Sequence, residues 1–142
     1  MPYKLLPDIA IADIAFEATG KDLSTLFGST AQAYIDLSVD PKTVQPNEER
    51  KITLQSDAVD KLLFDFLGEL IFIKDADFLI FASCAVTVSE REGKYDLQAT
   101  LNCESIKPEK HKLKMDVKAV TQHMFVVEHS DNGWRAVVVL DI

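Results

Sequence analysis

The second half of the chain consists almost entirely of segments with the pattern of β-strands. From residue 78 onward, five segments alternate apolar and polar residues or are rich in β-branched residues, at 78–89, 95–103, 114–121, 124–129 and 134–140. The turn sequences REG at 91–93 and SDNG at 130–133 are typical of hairpins. Five consecutive strands require a sheet, and a sheet with an apolar face requires a layer that covers it.

Two amphipathic helices in the first half can supply that layer. Asp22 is a suitable N-cap for the first helix, and Ser56 or Asp57 for the second. In both helices the apolar residues recur at steps of three and four, which places them on one face. These residues are Leu23, Leu26, Phe27, Ala31, Tyr34 and Leu37 in the first helix, and Val59, Leu62, Leu63, Phe66, Leu67 and Leu70 in the second.

Two further strands are predicted at 9–17 and 51–55, and the proline-containing stretch 40–50 is predicted to be a loop. Together these elements predict an α+β two-layer fold. Its core would be one mixed, mainly antiparallel sheet of about six strands, with two helices packed on one face. No repeat or linker divides the chain, so residues 1–142 are predicted to form a single domain.

The charge and the cysteines exclude several classes of protein. The net charge of −8 argues against direct high-affinity nucleic-acid binding, although it is compatible with action near RNA through a basic partner. No stretch approaches the ~20 apolar residues of a membrane helix, and residues 1–11 lack the pattern of a secretory signal. Cys84 and Cys103 form no CxxC pair, so we interpret them as thiols in a reducing compartment, by default the cytoplasm.

The sequence lacks the common catalytic motifs but contains three acids in unusual places. It has no glycine-rich phosphate loop and no nucleophile elbow, and its three histidines are not spaced as zinc ligands. Asp13 lies inside an apolar strand, Asp40 precedes a proline, and Asp141 follows an apolar run. Each also has an ordinary interpretation, as a strand-end or loop acid that reaches solvent.

If these three carboxylates converge, they form an all-oxygen site suited to Mg²⁺, Mn²⁺ or Ca²⁺. Backbone carbonyls and the carboxylate of Ile142 would complete it. The candidate ligands of such a site are Asp13, Asp40, Asp141 and Ile142, and the residues alone leave the ordinary interpretation open beside it. A bound cation would offset the repulsion among the acids and explain why the fold tolerates them together.

Short motifs along the whole chain resemble the archease family, in the family's order. The stretch VKAVTQH at 117–123 and the closing VVLDI at 138–142 are similar to its Lys-Ala-Val/Leu-Thr-Tyr-His segment and its final hydrophobic run. The segment ADIA at 12–15 resembles the family's Ala-Asp-Ile-Gly, and LLFDFLGEL at 62–70 resembles its second helix. Further matches are Gly20, Val39-Asp40 with Val44, Glu104, Pro108 with His111, and Trp134.

Several positions depart from the family pattern. Ala10-Ile11 replaces the His-Thr that precedes the family's Ala-Asp, which bears on the ligand set of the metal site. Gln122, Phe66 and Gly68 stand where Tyr, Trp and Asn are usual.

The resemblance implies an accessory protein rather than an enzyme. Archeases promote the RtcB-type RNA ligase, which joins 3′-phosphate or cyclic-phosphate ends to 5′-hydroxyl ends in tRNA splicing and RNA repair. They help the ligase become guanylylated, so that it turns over many times. Family members bind a divalent cation through acids that match Asp13, Asp40 and Asp141. Lys118 is expected to contact a phosphate or to pair with one of the acids.

Two other functions compete with this one. A metal-dependent phosphoester hydrolase would use the same acids, but no general base or phosphate clamp accompanies them in the sequence. The loss of the His-Thr pair instead favours a divergent interaction or chaperone-like module without ligase activation. His111 and His123 are interpreted as structural hydrogen-bonding residues, and Trp134 as a core or rim residue.

Overall fold

The computed structural model describes residues 2–6 and 13–142. This part of the chain contains two α-helices, seven strands and one short 3₁₀ turn, so the predicted α+β class is confirmed. The elements are β1 Tyr3–Leu6, β2 Asp13–Gly20, α1 Leu23–Ser38, the 3₁₀ turn Pro41–Thr43, β3 Glu48–Ser56, α2 Val59–Asp77, β4 Leu79–Arg91, β5 Lys94–Ser105, β6 Ala119–Ser130 and β7 Gly133–Asp141.

The strands form two antiparallel sheets instead of the single mixed sheet that was predicted. One sheet has the order β1-β2-β7-β6 and the other the order β3-β5-β4. The reason lies between β5 and β6, where the chain turns at 107–111 and then runs to residue 118 with only one isolated bridge, Val39 to Leu113. This long connection carries the chain from one sheet to the other, whereas a hairpin would have kept β5 and β6 paired.

Both helices contact both sheets. Helix α1 packs against β2 and β4, and α2 packs against β3 and β6. Their apolar faces meet in the core, where the rings of Phe27 and Phe66 lie 6.0 Å apart. The prediction that the helices cover one face of one sheet is therefore replaced by an arrangement in which they tie two sheets together.

The two helices begin in different ways. Asp22 caps α1 as predicted, since its Oδ1 accepts a hydrogen bond of 2.8 Å from the Thr25 N–H. Helix α2 begins after Ala58 and has no side-chain cap, so the prediction of a cap at Ser56 or Asp57 was wrong. Ser56 ends β3, and its hydroxyl accepts from the Ala58 N–H just before the helix.

Several strand boundaries differ from the predictions. The segments at 114–121 and 124–129 become one strand, β6, with an irregular register between Thr121 and Val126, where Met124 has a φ of 55°. Strand β1 was not predicted, and the predicted loop 40–50 contains the 3₁₀ turn and the start of β3. Of the strand predicted at 9–17, residues 9–12 lie outside the described residues.

Two glycines allow a close approach between β2, β7 and the start of α1. A Cβ built on Gly20 would lie 2.4 Å from the backbone nitrogen of Leu26, and one on Gly133 would lie 2.6 Å from the Gly20 carbonyl oxygen. Gly133 also has a φ of +113°, which other residues rarely adopt. These positions therefore fix how tightly α1 joins the four-stranded sheet.

Both cysteines are free thiols on neighbouring strands, in agreement with the prediction. Cys103 is buried in the core and Cys84 is half-buried against it. Burial raises the pKa of the Cys84 thiol to about 12, which disfavours the reactive thiolate. Among the described residues, neither helix is long and apolar enough to cross a membrane.

Candidate functional site

Two of the predicted acids lie opposite each other at one end of the two central strands of the four-stranded sheet. Strands β2 and β7 are antiparallel, and their register places Asp13 directly opposite Asp141. Residues opposite each other have side chains on the same face, with Cβ atoms roughly 5 Å apart. Both residues are half-buried, and among the described residues neither carboxylate has a hydrogen-bond or ion-pair partner. Two like charges are thus held together without a compensating cation from the described chain.

The residues next to Asp141 lie at the same end of the sheet. The Lys118 N–H donates to the Asp141 carbonyl oxygen at 2.8 Å, and the next residue, Ala119, pairs with Asp141 in the β6–β7 ladder. Lys118 is exposed and makes no ion pair with a described acid, so the hydrogen bond of its backbone N–H is its observed link to Asp141. Ile142 is half-buried and packs against the core.

Asp40 occupies a different local structure. It caps the 3₁₀ turn that follows α1, with its Oδ1 3.1 Å from the Lys42 N–H, and its own N–H donates to the Lys112 carbonyl oxygen. The described part of the chain contains no group of three or more His, Cys, Asp and Glu side chains arranged to hold a metal. The structure therefore brings Asp13 and Asp141 together as a pair and does not place Asp40 in a cluster with them.

A hard, oxygen-preferring cation fits this pair of carboxylates. Ca²⁺, Mg²⁺ and Mn²⁺ favour carboxylate, carbonyl and water oxygens, and each usually completes its coordination with several non-carboxylate ligands. No sulfur or imidazole joins the pair among the described residues. The chemistry of the two donors agrees with the predicted type of ion, and the full ligand set stays a prediction.

A buried lysine anchors the chain close to this end of the sheet, and no local sequence pattern indicated it. The Lys74 ammonium lies 2.6 Å from the Val117 carbonyl oxygen, 2.7 Å from an Asp116 oxygen and 3.1 Å from an Asp75 oxygen. Its side chain is 7% exposed. Because Val117 immediately precedes Lys118, Lys74 anchors the chain just before it enters β6 beside Asp141.

Comparison with known proteins identifies the family. The model of the archease protein family matches residues 3–142, nearly the whole chain. The chain belongs to the archease family. It is 37% identical over 131 residues to the protein archease of Methanothermobacter thermautotrophicus, which covers 92% of this chain and 93% of that protein. Protein archease of Methanosarcina mazei is 34% identical over 132 residues, 92% of this chain and 90% of that one.

Solved structures agree with the family assignment. The solution structure of a protein from Methanobacterium thermoautotrophicum matches with a TM-score of 0.86 and 34% identity, over 99% of both chains. The crystal structure of an archease from Thermotoga maritima, described as a possible chaperone, matches with a TM-score of 0.63 over 96% of both chains. At 16% identity, the second match supports the fold alone.

A second archease motif, Glu104 with His111, forms a buried polar network. Glu104 is 3% exposed, and its carboxylate accepts from the Lys110 ammonium, from His111 Nε2 at 2.7 Å and from the Gln45 N–H at 2.9 Å. The Asn47 side-chain amide completes the set at 3.2 Å. The network ties the turn at 107–111 to the segment that leads into β3.

The hydrogen bonds of His111 define its role. Its Nδ1 accepts from the Lys107 N–H at 3.0 Å, which assigns the ring proton to Nε2, and Nε2 then donates to Glu104. Both ring nitrogens are thereby used within the fold. The geometry agrees with the prediction that His111 is a structural residue and not a metal ligand.

Glu104 is expected to make stability depend on acid pH. Hydrogen bonds from Lys110, His111 and the Gln45 backbone lower the pKa of its carboxyl from the ordinary 4.5 to about 2. Its contribution is therefore full above the unfolded-state pKa and is lost as the pH falls from about 4.5 to about 2. Urea unfolding of wild type and Glu104→Gln should give a difference in unfolding free energy that shrinks over this interval. A constant difference, or an equal effect of Glu109→Gln at the exposed position nearby, would contradict this role.

Proposed function

We propose that this chain is a non-catalytic activator of an RtcB-type RNA ligase. It would promote guanylylation of the ligase, and hence multiple turnover, in tRNA splicing or RNA repair in the cytoplasm. Membership of the archease family supports the proposal, together with the KAVT and final LDI residues that resemble the family's motifs. The observation that carries it is the cross-strand pair Asp13–Asp141, which places two carboxylates side by side at one end of the central strands of the sheet.

In this proposal the acid pair binds a divalent cation, either Ca²⁺, Mg²⁺ or Mn²⁺. Asp13 and Asp141 would hold it, with main-chain oxygens and the Ile142 carboxylate as the further ligands. Asp40, which was also predicted as a ligand, is left out of this set because its carboxylate caps the 3₁₀ turn and does not cluster with the pair. When bound, the cation supplies positive charge that polarises or binds phosphate oxygens. The role of Lys118 in this proposal is to hold a phosphate near the acid pair, since its backbone is hydrogen-bonded to Asp141 and its side chain is exposed.

The charge of the chain fits the proposed partner. An RNA ligase must present a basic surface to its substrate, and a chain of net charge −8 is attracted to such a surface. The surface that carries the acid pair would thus dock at the ligase cleft where nucleotide and RNA ends meet. Because attraction of this kind is screened by salt, association should weaken as ionic strength rises.

Ligation under single- and multiple-turnover conditions tests this function. The cognate ligase is supplied with GTP, a divalent cation and RNA ends, with and without this protein. The proposal expects about one product per ligase alone and many in the presence of the protein. No increase with folded, cation-supplied protein would refute activation and favour the divergent interaction module. That alternative is motivated by Ala10-Ile11 in place of the family's His-Thr, at positions outside the described residues.

Cation binding has a separate expected effect on stability. A ligand that binds only the folded state at 100 times its dissociation constant stabilises by about 2.7 kcal/mol. Adding Ca²⁺, Mg²⁺ or Mn²⁺ should therefore raise the melting temperature of the wild type. The rise should be much smaller for Asp13→Asn, in which one ligand is lost, and unchanged for Asp131→Asn in the β6–β7 turn. An equal rise in all three proteins would place the cation elsewhere.

A further inference from the structure

The most basic part of this acidic chain is the connection between the two sheets. Residues 107–118, which we call the basic segment, contain five lysines and two acids, in a protein whose net charge is −8. Lys112 and Lys114 are exposed and make no ion pair with a described acid. The segment therefore presents a local positive potential that the rest of the chain does not share.

A small apolar pocket opens beside the basic segment. It has a volume of about 250 Å³ and lies among the end of α1, the start of β4 and residues 113–116. Its lining contains four apolar residues, Ile80, Ile106, Leu113 and Met115, and four polar or charged ones, Ser38, Lys74, Lys114 and Asp116. Leu113 is 43% exposed and Met115 is 39% exposed, although both are large apolar residues. Their exposure at a concave surface is typical of a binding site rather than of an incidental surface residue.

The pocket is held in place by the backbone and by the Lys74 anchor. The N–H groups of Lys114 and Met115 donate to the carbonyl oxygens of Ser38 and Leu37, both at 3.0 Å. On the far side, the Lys74 ammonium binds Asp116 and the Val117 carbonyl oxygen. The wall formed by the basic segment is thus fixed to both helices. Binding of a ligand would therefore not cost the conformational entropy of ordering this segment.

The lining defines the chemistry of the occupant. The volume lies below the roughly 300–1,000 Å³ of small-molecule pockets and suits a single side chain. The apolar part of the lining contains no aromatic residue, whereas sites for nucleobases generally offer an aromatic ring for stacking. Asp116 at the rim shares the Lys74 ammonium with Asp75, at 2.7 and 3.1 Å. The Lys114 ammonium donates to the Asp36 carbonyl oxygen at 3.0 Å. Lys112 and Lys114 remain the lysines beside the pocket that make no ion pair with a described acid.

We propose that this pocket is a docking site for a protein segment that inserts one aliphatic side chain flanked by acidic residues. Burial of the aliphatic side chain would supply most of the affinity, and the lysines would select the acidic flanks. This proposal does not depend on ligase activation, because it rests on the lining and the charges of the pocket and not on the acid pair.

Titration of the folded protein with short peptides, followed by NMR of its isoleucine and methionine methyl groups, tests the proposal. An acetylated Glu-Glu-Ile-Glu-Glu peptide should shift the methyl signals of Ile80, Ile106 and Met115 in the millimolar range. Glu-Glu-Ser-Glu-Glu and Lys-Lys-Ile-Lys-Lys should bind roughly tenfold more weakly. Equal shifts with all three peptides, no shifts with any, or shifts caused only by a short single-stranded RNA would overturn it.

Matched substitutions locate the binding. Met115→Glu should weaken binding of the acidic peptide by roughly tenfold or more, because it removes an apolar wall and adds a repelling charge. Met124→Glu changes an even more exposed methionine, on β6, and should leave the affinity unchanged. Lys114→Gln should reduce the preference for the acidic peptide over the basic one. If Met124→Glu weakens binding as much as Met115→Glu does, the peptide binds elsewhere.

Discussion

The Asp141→Ala substitution is expected to abolish stimulation of a cognate RtcB-type ligase while the fold remains intact. Loss of one of the two opposed carboxylates should reduce cation affinity or stimulation by roughly 10- to 100-fold. The unfolding free energy should change by only about 0.5 kcal/mol, because removing one carboxylate also relieves the repulsion across the β2–β7 ladder. Multiple-turnover ligation measures the first quantity and urea unfolding the second.

Asp131→Ala provides the matched control for this experiment. Asp131 lies in the turn between β6 and β7, at the opposite end of β7 from Asp141, and it is exposed. This variant should stimulate ligation like the wild type. If Asp141→Ala stimulates ligation as well as the wild type does, the surface that carries the acid pair is not the activating surface. If both variants lose stimulation, the effect is one of general charge and not of this site.

The Gly20→Ala substitution is expected to be among the most destabilising single changes in the chain. The added methyl group would lie 2.4 Å from the Leu26 nitrogen and 2.8 Å from the Thr25 carbonyl carbon, both of them backbone atoms. Backbone cannot rotate away as a flexible side chain can, so α1 must shift from β2. We expect a loss of about 3 kcal/mol in unfolding free energy, measured by urea denaturation.

Alanine at the helical glycines should have the opposite effect. Gly28 in α1 and Gly68 in α2 have no atom within 4 Å of a built Cβ. Alanine is better than glycine in a helix interior by about 1 kcal/mol, so Gly28→Ala and Gly68→Ala should stabilise by up to that amount. A Gly20→Ala variant as stable as these two would show that α1 is not tightly packed against β2.

The helices were predictable because their signals are local. In α1 an N-cap, Asp22, coincides with an apolar stripe of helical period, and together these fix both its start and its buried face. The apolar stripe of α2 was equally clear, but its start was misplaced because Ser56 and Asp57 are good capping residues that serve other positions here. Alternation likewise located β4, β5 and β7 to within a few residues.

The sheet arrangement was not predictable from these patterns. Alternation shows that a segment is a strand, but it does not show which strand is its partner. The register between Asp13 and Asp141 is an example. The sequence pattern and the resemblance singled out both acids, but only the structure places them opposite each other. The irregularity at Met124 and the short strand β1 also depend on tertiary pairing.

Lys74 shows a different limit of sequence analysis. Its position follows the apolar stripe of α2, and a lysine there reads as a solvent-exposed helix residue. In the structure its aliphatic stem is buried, and its ammonium reaches the carbonyl of Val117. Since the acceptor lies far along the chain in an irregular segment, no local pattern indicates the contact.

The pairing of β2 with β7 also has a consequence for the order of folding. The three-stranded sheet is built from β3, β4 and β5, which are close in sequence. The four-stranded sheet instead joins residues that are distant in sequence, such as Glu17 and Arg135, which are 118 positions apart. Long-range pairing must overcome a larger loop-closure entropy, so the first sheet is expected to form earlier and the second to close last. The two opposed carboxylates would then come together only in the final step, and cation binding would report that the chain has finished folding.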